Sequence, residues 1–207
     1  ETMAVAGKMI EFMQKASWIR KMFEEGARLK EIHGEENICD FSLGNPNVPP
    51  PAVLTEKLRE IVGRDQGGAH AYMPNAGLPA TRRAVADHLA AEHGVPVSAD
   101  HLVITCGAAG ALNIVLKSLL DPGDEVLVPA PYFVEYGFYA DNHGGVLRSV
   151  PCRADFSLDL TALEAAINPR TKVVLINSPN NPTGQIYSEE SIQALGRLLA
   201  GKGSEPG

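Results

Sequence analysis

From Leu102 onward the chain alternates short apolar runs with amphipathic stretches, and that alternation leaves few folds open. Leu102 to Thr105, Glu125 to Val128, Val146 to Val150 and Lys172 to Asn177 read as strands. Between them Ala111 to Leu120, Tyr132 to Asn142 and Asp159 to Ile167 read as helices, and Ser188 caps a last one carrying Ile192, Leu195 and Leu199. Asp121-Pro122-Gly123-Asp124 has proline and glycine in the type II turn positions, and Gly144-Gly145 stops the helix before it. Repeated βαβ units imply a mostly parallel sheet with right-handed crossovers and helices on both faces, an α/β fold.

The first hundred residues differ in kind. Residues 7 to 33 read as one long helix in which Met9, Met13, Ala16, Ile19 and Phe23 recur at spacings of four and three, with Gly34 as the stop. Such a stripe can hold a partner helix, but the pattern favours a helix packed on its own domain. Phe41 to Pro51 is irregular and proline-heavy, so a boundary near residue 47 divides the chain into 1–47 and 48–207. A helix from about Pro51 to Val62, a loop opened by Gly67-Gly68 and ending in Tyr72-Met73-Pro74-Asn75-Ala76-Gly77, and a helix from Pro79 to His93 closed by Gly94 follow.

Composition narrows the partners. A net charge of -7 with both signs mixed along 207 residues speaks against nucleic acid and against an anionic membrane surface. Leu102 to Leu116 is apolar but too short and too interrupted to span a bilayer, and Lys8, Glu11 and Lys15 break the apolar core that a signal peptide needs. Cys39, Cys106 and Cys152 are odd in number and far apart, which fits a reducing cytoplasm better than a disulfide framework. The histidines have no metal-ligand spacing, so no metal is expected.

Chemistry concentrates where strands end, because an open parallel sheet presents its ligand site there. The run Val173-Val174-Leu175-Ile176 leads into Ser178-Pro179-Asn180-Asn181-Pro182-Thr183-Gly184, whose prolines stiffen the loop and whose asparagines offer amide donors. Asn-Pro-Thr-Gly alone reads equally well as a surface loop. Gly107, Ala108 and Ala109 stand between a strand and a helix start, where backbone N–H groups and the positive helix end converge on one point. Small residues here fit a phosphate or tight packing. Pro129-Ala130-Pro131-Tyr132 ends another strand, and Tyr132 is either a core aromatic or a ring laid against a flat ligand.

In this order these segments resemble the class I/II aminotransferases, the fold-type-I enzymes that use pyridoxal 5′-phosphate. The matching elements are an arm helix, Gly44-Asn45-Pro46, Tyr72 to Gly77, the Gly107-Ala108-Ala109 turn, Pro129 to Tyr132 and Ser178 to Gly184. The resemblance implies that Gly107, Ala108 and Ala109 hold the cofactor phosphate and that Tyr132 stacks on its ring. It implies further that Asn181 bonds the ring's phenolic oxygen, that Tyr72 reaches the phosphate of a second copy in a homodimer, and that Gly44 lies near the substrate carboxylate with Asn181. Many relatives carry a hydroxyl residue in the phosphate turn, where this chain has Ala108 and Ala109. On this reading 1–47 is the arm and the start of the small domain, and 48–207 is the first part of the large one.

The family's Schiff-base lysine, pyridine-nitrogen aspartate and two anion-binding arginines belong beyond the asparagine loop. Lys8, Lys15, Lys21, Lys30, Lys57, Lys117, Lys172 and Lys202 lack the family's context, so no catalytic residue is expected in this chain. The resemblance implies an amino-terminal half that does not turn over alone, with an amino acid (aspartate-like, alanine or aromatic) and a 2-oxo acid as substrates of the whole enzyme. A carbon–sulfur lyase of the same fold, or a non-catalytic phosphate-binding or dimerisation module, are the competing readings.

Overall fold

The computed structural model describes residues 4–41, 44, 48–64 and 70–202, with side chains for all of these except 15–20. Asn45-Pro46, Gly67-Gly68, the ending from Gly203 and the side chains of Ala16 and Ile19 therefore lie outside the described residues. The chain divides into two units, Glu1–Ala71 and Tyr72–Gly207, and each is taken by itself.

In the first unit α1 runs Gly7–His33 and α2 runs Ala52–Val62. A short 3-10 turn, Glu35–Asn37, follows α1, and Lys30 then pairs with Asp40 at 2.8 Å. Met9, Met13 and Phe23 are exposed, which corrects the expectation that this stripe packs on its own domain. Asp40 lies beside Gly26 and Lys30 in the later turns of α1.

The second unit holds the sheet. Its helices are α3 (Pro79–His93), α4 (Gly107–Leu119), α5 (Tyr136–Asp141), α6 (Leu160–Ala166) and α7 (Glu189–Lys202). Its strands are β1 (Glu125–Ala130), β2 (Val146–Pro151) and β3 (Thr171–Val174). All pair parallel, in the order β2-β1-β3.

The pleat of β1 divides the core in two. Val126 and Val128 face Leu116 and Leu120 of α4 with Tyr136, Tyr139 and Ala140 of α5. Leu127, between them, faces the other way, toward Leu163 of α6, Leu195 of α7, Val150, Leu158 and Tyr187. This is the period-two alternation of a strand buried on both sides. The connection from β1 to β2 carries α5 on one face; that from β2 to β3 carries α6 on the other.

Three local expectations are corrected. Leu102 to Thr105 is extended but joins no ladder among the described residues. Its Ile104 N–H donates instead to the Ala76 carbonyl at 3.0 Å, and Val103 remains 59% exposed. Strand propensity is present there, but a ladder needs a neighbour, and among the described residues the sheet has three strands, not four. Next, α4 starts at Gly107 and not Ala111, because the small-residue turn is itself the first helical turn. Lastly, α5 starts at Tyr136 and not Tyr132. The Pro131 carbonyl accepts from Asn180, and the chain enters α5 through the Tyr136 N–H bond to the Phe133 carbonyl at 3.1 Å.

Candidate cofactor site at the carboxyl edge of the sheet

Strand order sets where a pocket can form. From β1 the chain leaves toward α5 on one face; from the adjacent β3 it leaves toward α7 on the other. Diverging loops at the carboxyl ends of neighbouring parallel strands make a topological switch point, the crevice where open α/β sheets take ligands. Tyr132 lies on the loop after β1 and Asn181 on the loop after β3.

The two loops meet through Asn180. Its Nδ2 donates to the Pro131 carbonyl at 3.0 Å and to Thr183 Oγ1 at 2.9 Å. Its backbone N–H donates to Gln185 O at 2.8 Å, and its carbonyl accepts from Gly184 N–H at 2.7 Å. Asn181 stands exposed at the tip, its N–H donating to Asn177 Oδ1 at 2.9 Å. Beneath the loop Tyr187 is buried, its N–H bonded to Ser178 Oγ at 3.1 Å, and burial pushes its phenol above the usual range. The Ala130-Pro131, Ser178-Pro179 and Asn181-Pro182 peptides are cis. Tyr132 is half-buried against the core cluster that α4 and α5 share.

The Gly107 turn comes to the same end. Through Asp121 to Asp124 α4 turns into β1, and its Leu116 and Leu120 pack on Val126 and Val128. Thirteen helical residues rise about 20 Å, and six strand residues cover about the same. Gly107 is thereby carried back toward the Ala130 end of β1. At the turn Thr105 Oγ1 donates to the Gly107 carbonyl at 2.8 Å and Asn113 Nδ2 to the Ala109 carbonyl at 2.9 Å. Asn142 Nδ2 in turn donates to Asn113 Oδ1 at 3.1 Å. No side chain caps the helix, whose first amides have no helical acceptor. Gly107 takes a φ of 69°, which a side chain would strain.

Tyr72 belongs to the same unit, but its ring is fully exposed and packs on none of these groups. Gly44 is exposed and lies in the first unit. Reading the sequence missed Asn180, Thr105 and Asn113. Asn180 sits inside the recognised loop, and Asn113 stands one helical turn after Ala109, so spacing marks both.

Cys39 and Cys106 are exposed free thiols; Cys152 is half-buried, and burial followed by the nearby Asp155 and Asp159 pushes its thiol up. Among the described residues no group of three acidic, histidine or cysteine side chains could hold a metal, and no helix is long and apolar enough to cross a membrane.

A parallel α/β unit with a switch-point crevice, an uncapped helix start and an asparagine-proline loop places this chain in the class of open α/β folds that take ligands at the carboxyl edge of the sheet. The sequence profile of aminotransferase class I and II matches residues 36–204, and the chain belongs to this family. It is 33% identical over 159 residues to a probable aspartate aminotransferase of Methanocaldococcus jannaschii, covering 77% of this chain and 42% of that protein. It is 38% identical over 164 residues to the aspartate/prephenate aminotransferase of Thermus thermophilus, covering 78% of this chain and 42% of that one. The crystal structure of an amino transferase from Eubacterium rectale superimposes with a TM-score of 0.91 at 41% identity, over 97% of this chain and 51% of the other. The chain thus spans about half the length of the relatives it matches.

Proposed function

We propose that these residues are the cofactor-holding half of a pyridoxal 5′-phosphate-dependent aminotransferase. The observation that carries the reading is the meeting of the Tyr132 and Asn181 loops at the switch point, beside the uncapped start of α4. The donor set fits the group. Amides of Ala108 and Ala109 would hold the phosphate beside Gly107, whose own N–H donates to the Thr105 carbonyl at 2.9 Å, with the Gly107 and Ala109 carbonyls already turned to Thr105 and Asn113. The Tyr132 ring would lie against the pyridine and Asn181 would donate to the phenolic oxygen. When bound, the group supplies an electron sink for charge released at an amino acid's Cα.

Residues 1–47 would be the arm and the start of the small domain, with Gly44 and Asn181 near the substrate carboxylate, and 48–207 the first part of the large domain. The fully exposed Tyr72 ring suits a reach to the phosphate of a second copy in a homodimer. Substrates of the whole enzyme would be an aspartate-like, alanine or aromatic amino acid and a 2-oxo acid. Free thiols suit a reducing cytoplasm.

The proton-transferring lysine would come from outside these residues. Among the described lysines of the second unit, Lys117 is in the last turn of α4, Lys172 is near the start of β3 and Lys202 pairs with Glu164. None is at the crevice, so the chain holds the cofactor without turnover. Its test is twofold. The 207-residue chain should bind pyridoxamine 5′-phosphate one to one, yet carry no stoichiometric adduct by intact mass after pyridoxal phosphate and borohydride. No binding would sink the cofactor reading; one clean adduct or measurable transamination would sink the claim about the lysine.

A further inference from the structure

We infer that Asn180 is a positioning residue that fixes Tyr132 and Asn181 relative to each other, and through them the seat of the cofactor ring. The inference rests on the cofactor reading above and adds to it a residue that does not itself touch the ring.

The sheet does not set this spacing. The ladder between β1 and β3 runs no further than Leu127, whose carbonyl accepts from Leu175 N–H at 2.8 Å. Both loops begin past that bond, at Pro131 and Ser178. Between them the direct link is Asn180, one residue before Asn181, to the Pro131 carbonyl, one peptide bond before Tyr132. That hydrogen bond spans 49 residues of sequence.

Asn180 is built for one orientation. It is 7% exposed, and it is the polar residue in the buried class among the described residues. Each of its two amide protons serves a different loop, one going to Pro131 and the other to Thr183. Its backbone is closed by Gln185 and Gly184. A buried amide held at both protons and both backbone groups does not turn without leaving donors unpaired. The neighbouring Asn181, exposed at the tip, is free to present its amide outward.

Asn180→Asp separates the two partners. The Thr183 hydroxyl can turn and donate to a carboxylate, whereas the Pro131 carbonyl would face an oxygen in place of a donor. Two measurements on the 207-residue chain test the link. In backbone amide spectra without ligand, Asn180→Asp should move Tyr132 and Asn181 and leave Gly107 and Ala109 unchanged. Thr183→Val should move Asn181 and leave Tyr132 in place. Wild-type Asn180 side-chain amide protons should show nuclear Overhauser contacts to Pro131 and Tyr132, a readout that survives a variant that fails to fold.

In titrations, Asn180→Asp should weaken pyridoxamine 5′-phosphate about tenfold, the equivalent of one buried hydrogen bond, and leave inorganic phosphate binding unchanged. A merely structural role would lower both affinities together. The inference is overturned if Tyr132 does not shift, if the wild-type contacts are missing, or if both ligands weaken alike. A wild-type chain that binds no pyridoxamine phosphate overturns the cofactor reading instead, and the amide shifts then decide the link between the loops.

Discussion

Gly77 lies so close to Ile104 that a Cβ on the glycine would stand 2.8 Å from both Cβ and Cγ1 of the isoleucine. The contact joins the Tyr72 to Gly77 loop to the segment that feeds the Gly107 turn, and the Ala76–Ile104 backbone bond reinforces it. Gly77 also takes a φ of 98°. Gly77→Ala should therefore cost about 1–3 kcal/mol through strain and overlap. Urea unfolding measures this, and a variant as stable as the parent would mean that the two segments do not touch.

If the Gly107 turn holds the phosphate as proposed, Ala108 and Ala109 offer it backbone alone, so a hydroxyl added there has work available. Ala109→Ser should tighten inorganic phosphate several-fold, by roughly 1 kcal/mol for one added hydrogen bond. Gly107→Val, forced into a positive φ, should weaken it. Calorimetric titration of both variants checks the pair, and unchanged affinity in each would place the anion elsewhere.

Core truncations should act independently on the two faces of β1. Leu116→Ala and Leu163→Ala should each cost about 2–5 kcal/mol, since both side chains are fully buried. They lie in separate clusters on opposite sides of the sheet, so the double variant should lose close to the sum of the two. Denaturant midpoints of the three variants decide it.

Glu125 accepts from Asn168 Nδ2 at 2.7 Å and from Arg148 Nη1 at 2.8 Å, binding the starts of the strands together. The Asn168 bond first, and then the Arg148 bond, hold its carboxyl below the usual carboxylate range. A depressed native value means stability that is present above the unfolded value and lost as pH falls through the native one. Acid unfolding followed by circular dichroism should show the parent losing stability below about pH 4, with Glu125→Gln losing less over the same interval.

Tyr139 behaves in the opposite sense. Its hydroxyl donates to Glu135, and that bond, with burial and the carboxylate's charge behind it, pushes the phenol up to about 12. A raised native value protects the fold below the ordinary tyrosine range and is lost as pH climbs toward 12. Tyr139→Phe should flatten that alkaline decline, and absorbance at phenolate wavelengths should record one tyrosine fewer ionising late.

What the sequence disclosed depended on how far apart the deciding groups lie. Helix α3 was legible to the residue, because Pro79 opens it and Gly94 closes it. The helix expected from Asp159 to Ile167 runs Leu160–Ala166 with those two residues as its caps, and Asp159 accepts from the Ala162 N–H. Leu102 to Thr105 has a strand's composition, yet pairing is a relation with a distant neighbour and no local pattern reports it. Tyr132 to Glu135 looked helical, and the Asn180 bond to the Pro131 carbonyl before them comes from far along the chain. Of the two adjacent asparagines, nothing local says which is buried; only the meeting of the loops makes Asn180 the strut and Asn181 the tip.

The sheet is also a matter of timing. Every ladder partner lies between Glu125 and Val174, in one unbroken stretch of chain. A ribosome that has released this stretch has released all three strands and the two helices that cross between them. Residues 125–174 can therefore begin to order while the rest of the polypeptide is still being made, since domains fold as they emerge. The crevice between the Tyr132 and Asn181 loops can be complete only once Asn180 and its turn have followed, and the Leu127 face of the core closes later still, when Tyr187 and Leu195 have emerged.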